Sequence, residues 1–248
     1  MQRYFLTESP AGQEFILPED VQHHLMTVLR GKEGTQAEFV YPDQQTMVVA
    51  EVIQVADEMT TMRVVEEVAT DVELPVETTI ILGLAKGDKP ELVVQKATEL
   101  GVHHVIIVET DWSVVHWGMK ADKKLARLQK IAQGAAEQSH RLRVPDVTYV
   151  EKLRDLDLPD DMVKIVAWEE SAKQGETAQL VAQFSHLNAG DKIAFLVGPE
   201  GGLKESELDL LTNTFGFVPA GLGPRILRAE TAPLYALSAL SYALELAR

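Results

Sequence analysis

The sequence contains no cysteine among its 248 residues. This absence excludes disulfides and thiolate metal sites and fits a reducing cytosol, so we expect a cytoplasmic protein. The start Gln2-Arg3-Tyr4 does not read as a signal peptide, so we expect none, and no apolar run is long enough to span a membrane. The apolar segment 232–247 is short and alanine-rich, and it predicts a core or interface helix rather than a membrane span.

Several common motifs of catalysis and nucleotide binding are also missing. The glycine-rich stretch 198–202 is not G-x-G-x-x-G, and it lacks the Gly-Lys-Ser/Thr of a phosphate loop. The serines lack a Gly-x-Ser-x-Gly elbow, and the seven histidines include no His-Glu-x-x-His. No aspartate cluster suggests magnesium, so we expect no bound metal.

Positive charge is scarce, since 23 lysines and arginines stand against 38 acidic residues and the formal net charge is −15. Taken alone, this balance disfavours a polyanionic partner. The segment 120–143 reverses the balance, because it carries seven basic and two acidic residues, a local charge of +5. Such a segment is either a surface that meets phosphates or a solvated helix face.

The chain divides at an acidic segment, 66–75, that ends in proline and predicts a linker. Before it, short apolar runs at 15–17, 37–41, 47–53 and 62–65 predict strands, with one helix over 19–29. After it, apolar strands at 79–85, 105–108, 163–168 and 193–197 alternate with helices, including 91–100, 122–139 and 177–184. We therefore predict a β domain over 1–70 and an α/β domain with a parallel sheet over 75–248.

Two glycine-containing stretches each follow an apolar run and precede a helix. The first is Gly198-Pro199-Glu200-Gly201-Gly202, and the second covers 221–232. A glycine turn between a strand and a helix is where open α/β sheets bind ligands, because bare backbone can approach a ligand closely. In the second stretch Arg228 and Glu230 lie before the helix start, and Thr231 is the predicted N-cap.

These two stretches resemble the paired cofactor loops of the SPOUT methyltransferases, in particular the RsmE family. That family methylates N3 of a uridine in 16S ribosomal RNA of the small ribosomal subunit, using S-adenosylmethionine. The segments 96–102 and 137–145 are also similar to sequence motifs of the family, and the resemblance covers nearly the whole chain. It implies an N-terminal PUA-like β-barrel that binds RNA and a C-terminal SPOUT domain with a trefoil knot, an exception to the usual absence of knots. It also implies a homodimer.

The resemblance also implies which residues of this sequence bind the cofactor, contact RNA and take part in catalysis. Residues of both glycine stretches and of the strand before the first would bind the cofactor: Leu196, Gly198, Pro199, Glu200, Gly201, Leu222, Gly223, Ile226 and Leu227. Basic residues would contact RNA: Arg3, Arg30, Lys86, Lys89, Arg141 and Arg143. A cation near the uracil would stabilise the anion formed when N3 loses its proton, and Arg228 is the candidate. Glu200 and Glu230 would orient that arginine, assist proton removal or cap loop amides.

Two positions depart from the family pattern. Trp112 stands near the place of an arginine, where it could stack on a base or simply pack. Lys204 stands where the family often has a helix-capping serine, so Ser206 or water must satisfy those amides, or the helix starts differently. Two rival functions remain open: a ribose 2′-O methyltransferase of the same superfamily, and an RNA-binding assembly factor without enzymatic activity.

Overall fold

The computed structural model describes residues 1–56, 59–173 and 178–247. The chain forms two compact units. Unit 1 comprises residues 1–73 and 136–143, and unit 2 comprises residues 74–135 and 144–248. The return of 136–143 to unit 1 is a feature that local sequence patterns do not indicate.

Unit 1 contains a five-stranded mixed sheet. Its strands are β1 (Arg3–Phe5), β2 (Glu14–Ile16), β3 (Gln36–Val40), β4 (Met47–Ala56) and β5 (Met59–Glu67). The order is β1-β3-β4-β5-β2, in which β1 and β3 are parallel and the other pairs antiparallel. Helix α1 (Glu19–Gln22) continues into a π-helical turn, His23–Val28. The core centres on Phe39, Ala50 and Met62, which are fully buried.

The sheet of unit 1 differs from the closed barrel that we expected. Both edge strands, β1 and β2, have only three residues, and no pairing joins them within the described part of the chain. Strands this short leave few backbone groups with which to close a sheet. The observed sheet is therefore open and mixed, and the predicted barrel is not confirmed.

Unit 2 is built on a six-stranded sheet, and all of its strands are parallel, as predicted. Its strands are β6 (Glu77–Gly83), β7 (His104–Val108), β8 (Asp146–Val150), β9 (Val163–Ala167), β10 (Lys192–Val197) and β11 (Val218–Ala220). Strand β8 was not among the strands that we predicted. The order is β11-β9-β10-β6-β7-β8. Strands β6 and β10 lie at the centre and contain the apolar runs 80–82 and 193–197, because both of their faces are buried.

Helices pack on both faces of this sheet. They are α2 (Lys89–Glu99), α3 (Ala121–Gln138), α4 (Glu169–Lys173), α5 (Gln179–Ser185), α6 (Glu205–Asn213) and α7 (Ala232–Ser241). Two 3₁₀ turns, Gly118–Lys120 and Leu153–Asp155, and a π-helical turn, Tyr242–Leu246, complete the fold. Helix α5 begins at Gln179, and residue 177, where we predicted its start, lies outside the described residues.

Alternation along β6 separates the two cores of unit 2. Ile80 and Leu82 face the core that α2 and α7 complete, whereas Ile81 faces the core that contains Leu211 of α6. All three strand residues are fully buried. Within the ranges that the structure describes, no helix is both long and apolar enough to cross a membrane. The carboxyl ends of the sheet remain open for a site.

Candidate active site

An open cleft of about 1000 Å³ lies in unit 2 at the carboxyl ends of β9, β10 and β11. Both glycine stretches line it, although they are separated by β11 and α6 along the chain. Strand β9 also contributes, through Ala167 and the following Trp168. The parallel sheet brings the two stretches together, because the carboxyl ends of its strands meet at one edge.

Most residues predicted to bind the cofactor line this cleft. They are Gly198, Pro199, Glu200, Gly201, Leu222, Ile226 and Leu227. Leu196 is different, since it is fully buried in the core beside α6. Gly223 does not line the cleft either, and its φ of 88° serves the turn that shapes the second stretch.

The first glycine turn is closed so tightly that Gly198 has little room for a side chain. The amide of Gly202 donates to the carbonyl of Pro199 at 2.9 Å. A Cβ at Gly198 would lie 3.1 Å from the carbonyl carbon of Gly202, and Gly202 itself has a φ of 79°. This turn therefore needs glycine at both positions.

Gly83, the last residue of β6, is a site residue that sequence reasoning missed. A Cβ at Gly83 would lie 2.5 Å from Cδ of Pro199 and 2.6 Å from its nitrogen. The first glycine turn thus rests directly on the backbone of the neighbouring strand. The available signal was a glycine at the end of an apolar strand, which often marks a close backbone approach.

The second glycine stretch leads into α7 through a turn that backbone groups hold. The carbonyl of Arg228 accepts from the amides of Thr231 and Ala232, at 2.8 and 3.0 Å. Thr231 is the N-cap residue, but its hydroxyl makes no capping hydrogen bond. Its φ of −88° and ψ of −36° are helical, whereas a capping side chain usually needs an extended backbone.

Three charged residues form an ion cluster at the cleft: Lys89 is the first residue of α2, Glu200 lies in the first glycine stretch and Glu230 lies in the second. The ammonium of Lys89 lies 2.8 Å from Oε1 of Glu200 and 3.3 Å from Oε2 of Glu230. Glu200 also accepts from the backbone amide of Lys86 at 3.3 Å. Lys89, which we expected to contact RNA, is thus held between two carboxylates. The glutamates pair with this lysine and not with Arg228.

The cluster shifts the ionisation of its members. The hydrogen bond to Glu200 raises the pKa of Lys89, against the opposing effect of burial. Burial acts to raise the pKa of Glu200, but the hydrogen bonds from Lys89 and from backbone amides outweigh it, and the pKa is lowered. Both groups are therefore charged at neutral pH. Oε2 of Glu230 is buried and has no aligned hydrogen bond from any described residue.

Arg228 also lines the cleft, and it is exposed. Its guanidinium forms no ion pair with a residue in the described part of the chain. A guanidinium that forms no ion pair with a described residue can face a bound substrate.

The start of α6 shows how the chain accommodates Lys204. A lysine ammonium has no acceptor, so it cannot cap an amide. The carboxylate of Glu207 instead accepts from the amides of Lys204 and Asp111, at 2.9 and 2.8 Å. The Lys204 ammonium pairs with Asp111 at 2.8 Å. Glu207 thus satisfies the N-cap amide and not the first-turn amides that we assigned to Ser206 or water; the amides of Glu207 and Leu208 donate to the carbonyl of Lys204, both at 3.0 Å.

The remaining residues predicted to contact RNA fall into two groups. Arg30, Lys86 and Arg143 are exposed. Arg3 and Arg141 are only 4% and 3% exposed, and both belong to unit 1. Arg3 pairs with Glu38 at 2.8 Å and donates to the carbonyl of His140; Arg141 pairs with Glu73.

The pairing of Arg3 and Arg141 has a physical reason, since a buried charge is stable only when it is paired and hydrogen-bonded. These guanidinium groups stabilise the structure of unit 1 and are not presented to a partner. The prediction that they contact RNA does not fit this burial.

Helix α3 carries the basic segment on its surface. Lys120 and Arg127 border a second hollow, of about 490 Å³, and Lys123, Lys124 and Lys130 are likewise exposed. The ammonium of Lys124 lies 5.5 Å from the ring centre of Trp117. Arg127 pairs with Glu91 of α2 at 2.7 Å. Most of these cations thus remain available to an anionic partner.

The comparison with known families defines the class of protein. Residues 72–241, more than half of the chain, match a family model described as an RNA methyltransferase domain. Together with the parallel sheet and the cleft at its strand ends, this match places unit 2 in the class of RNA methyltransferases.

Comparison with individual proteins identifies the family. The chain is 43% identical over 255 aligned residues to ribosomal RNA small subunit methyltransferase E of Bacillus subtilis strain 168, with 100% of this chain and 99% of that protein covered. The chain belongs to the ribosomal RNA small subunit methyltransferase E family.

Two solved structures are similar over nearly the whole chain. Ribosomal RNA small subunit methyltransferase E from Neisseria gonorrhoeae, bound to S-adenosylmethionine, has a TM-score of 0.84 and 30% identity, with 97% of both chains covered. A methyltransferase from Legionella pneumophila, also with bound S-adenosylmethionine, has a TM-score of 0.80 and 28% identity, with the same coverage.

Proposed function

We propose that this protein methylates N3 of a specific uridine in 16S ribosomal RNA of the small ribosomal subunit, with S-adenosylmethionine as methyl donor. The observation that carries the proposal is the single cleft lined by both glycine stretches and by Arg228. Membership of the methyltransferase E family supports the same reaction class. The choice of uridine N3 rests on the resemblance of these stretches to the RsmE family.

The residues of the cleft fit a nucleoside-sized cofactor. Its volume of about 1000 Å³ is at the upper end of small-molecule sites. Bare backbone at Gly198 and Gly201 and apolar side chains of Leu222 and Leu227 would hold the adenosyl group. When bound, S-adenosylmethionine supplies an electrophilic methyl group on a sulfonium, so the protein need not activate the donor.

The protein's own chemical task is to remove the proton from the acceptor nitrogen. We assign Arg228 to stabilise the uracil anion, since its guanidinium is exposed at the cleft wall. Glu200 lines the cleft, is ionised at neutral pH and would accept the N3 proton. Glu230 would act through Lys89, because its Oε2, which is buried, lies 3.3 Å from the Lys89 ammonium that also pairs with Glu200.

Binding of the RNA is assigned to exposed basic residues. Arg30, Lys86, Arg143 and the surface cations of α3 would contact phosphates. We further propose that residues 1–70 form a PUA-like RNA-binding domain, and that residues 75–248 form a SPOUT domain with a trefoil knot. A cytoplasmic homodimer is part of the same proposal, and the apolar α7 is the candidate interface.

The decisive experiment removes the gene and maps the methylated nucleosides of 16S ribosomal RNA. We expect one uridine to lose an N3 methyl group, and the purified protein with S-adenosylmethionine to restore it. Loss of a ribose 2′-O methyl group instead would identify the rival methyltransferase. Failure of the protein to bind S-adenosylmethionine at micromolar concentration in calorimetry would favour the assembly factor. Either result would overturn the proposal.

A further inference from the structure

Trp112 is an exposed aromatic side chain in the candidate active site that the proposed chemistry does not use. It follows β7, lines the cleft and is 45% exposed. Burying an aromatic ring is strongly favourable, so an exposed tryptophan in a cleft calls for an explanation. Trp117 offers a contrast, since it is buried and stacked on Tyr149 with ring centres 5.2 Å apart.

The loop that carries Trp112 is held in place from both sides. The amide of Thr110 donates to the Ser113 hydroxyl at 3.1 Å, and the Ser113 amide donates to the Thr110 carbonyl at 3.0 Å. The amide of Asp111 donates to the buried Glu207 at 2.8 Å. The backbone beside Trp112 is therefore fixed, so the ring can offer a contact surface at low entropic cost.

Trp112 lies directly against the first glycine turn. A Cβ at Gly201 would lie 3.1 Å from Cβ of Trp112, and one at Gly202 would lie 3.8 Å from Cζ3 of the indole. Because these two residues have no side chains, only the backbone of the turn lies beside that part of the tryptophan.

The sheet order determines from which side the tryptophan approaches. The two glycine stretches follow β10 and β11, with β9 between those strands. Trp112 follows β7, which lies on the other side of β10, beyond β6. The ring therefore borders the cleft on the side away from the second glycine stretch. A nucleoside gripped between the two stretches would leave this side of the cleft to the second reactant.

We propose that Trp112 is a stacking platform for a nucleobase of the substrate RNA. This inference rests on the proposed function, because it assigns the second reactant to RNA. RNA enzymes read unstacked bases, and such bases stack on exposed aromatic side chains. Stacking tolerates any base, so Trp112 positions the nucleotide in the cleft and other residues identify it.

The test uses the full-length protein, S-adenosylmethionine and 16S ribosomal RNA from a strain that lacks the gene. Trp112→Ala should raise the KM for RNA about 10- to 100-fold, in line with the loss of one base–aromatic stack. Trp112→Phe should stay within about threefold of the unchanged protein, because it keeps a stacking face. Val114→Ala, which trims a 72% exposed side chain in the same loop, is the matched control and should have no effect.

Two further readouts separate stacking from other roles. The dissociation constant for S-adenosylmethionine should be the same in Trp112→Ala as in the unchanged protein. The slope of RNA affinity against salt concentration should also stay the same, since a neutral ring contacts no phosphate. In a protein with Trp117→Phe and Trp168→Phe, the fluorescence of Trp112 should be quenched by RNA and not by cofactor.

Two outcomes would overturn the inference while leaving the proposed function standing. An unchanged KM for RNA in Trp112→Ala would show that Trp112 only packs against its neighbours and does not bind a base. Weaker cofactor binding in the same variant would show that the ring contacts the methyl donor. If the unchanged protein methylates no uridine at N3, the proposed function fails, and the assignment of Trp112 fails with it.

Discussion

Gly83 ends β6 with its backbone packed against the first glycine turn. The closest atoms to an added Cβ belong to the ring and nitrogen of Pro199, at 2.5 and 2.6 Å, and to the carbonyl carbon of Gly198, at 2.9 Å. None of these atoms belongs to a side chain that can rotate away. A single methyl group at this position must therefore move the turn itself.

We predict that Gly83→Ala weakens cofactor binding at least about tenfold and destabilises the protein by about 1–3 kcal/mol. Isothermal titration calorimetry with S-adenosylmethionine and urea unfolding would measure the two effects. Gly134→Ala is the control, because nothing lies within 4 Å of the added Cβ in the middle of α3. It should stabilise the helix by up to about 1 kcal/mol. Equal behaviour of the two variants would contradict the packing described for Gly83.

The ion cluster at Lys89 leads to a prediction about pH. A lowered pKa in Glu200 gives stability that is present above its ordinary value of 4.5 and lost as the pH falls through the lower folded value. A raised pKa in Lys89 gives stability that is present below its ordinary value of 10.5 and lost as the pH rises through the higher folded value. The contribution of the pair should thus be constant between pH 6 and 9.

The measurement compares the unfolding free energy of the unchanged protein with that of Lys89→Met at pH 6, 7.5 and 9. The difference between the two proteins should be the same at all three values. Lys89→Met should also lose methyl transfer, because Glu200 and Glu230 then face each other without a cation. A stability difference that changes across this pH range would show that another titrating group controls the cluster.

At the scale of elements, much of unit 2 was predictable from the sequence, for reasons that the structure shows. Strands β6 and β10 are buried on both faces, so each contains an apolar run, 80–82 and 193–197, that is visible in the sequence. The end of α2 was marked by Gly101, whose φ of 89° suits a residue that follows a helix. These features depend on residues that are neighbours along the chain, so local sequence patterns predict them.

The features that the sequence did not reveal depend on distant residues. Lys89, Glu200 and Glu230 meet only because β6, β10 and β11 end at one edge of the sheet, and no spacing along the chain encodes that order. The burial of Arg3 and Arg141 depends on the return of 136–143 to unit 1. A basic residue looks the same in a sequence whether its guanidinium is buried or exposed.

Helix α6 depends on one buried carboxylate at its start. Glu207 is 6% exposed and satisfies two backbone amides, one at the N-cap residue of its own helix and one in the loop that carries Trp112. We predict that Glu207→Ala costs about 2–3 kcal/mol, since both amides lose a charged acceptor. Glu205→Ala, in the same turn but exposed, should cost less than about 1 kcal/mol. Urea unfolding would compare them, and similar losses would mean that Glu207 does not join the two segments.

At the scale of the whole molecule, the charge distribution restricts how RNA can bind. The protein carries a net charge of −15, so most of its surface repels a polyanion. Contacts with phosphates must then come from local groups of exposed cations, and the affinity should fall steeply with salt. Buried arginines contribute to the formal charge but not to this surface.

Arg141 and Arg143 offer a direct test, because they lie two residues apart and differ in burial. Arg143 is exposed, so Arg143→Ala should leave stability within about 0.5 kcal/mol while it weakens RNA binding and lowers the salt slope by about 0.9. Arg141→Ala should instead destabilise the protein by about 3–5 kcal/mol, since it leaves the Glu73 carboxylate without its cation. Thermal unfolding and fluorescence anisotropy with 16S ribosomal RNA between 50 and 200 mM salt would separate the two effects. If the Arg141→Ala protein is stable but binds RNA weakly, Arg141 contacts RNA, and the structural role assigned to it here is wrong.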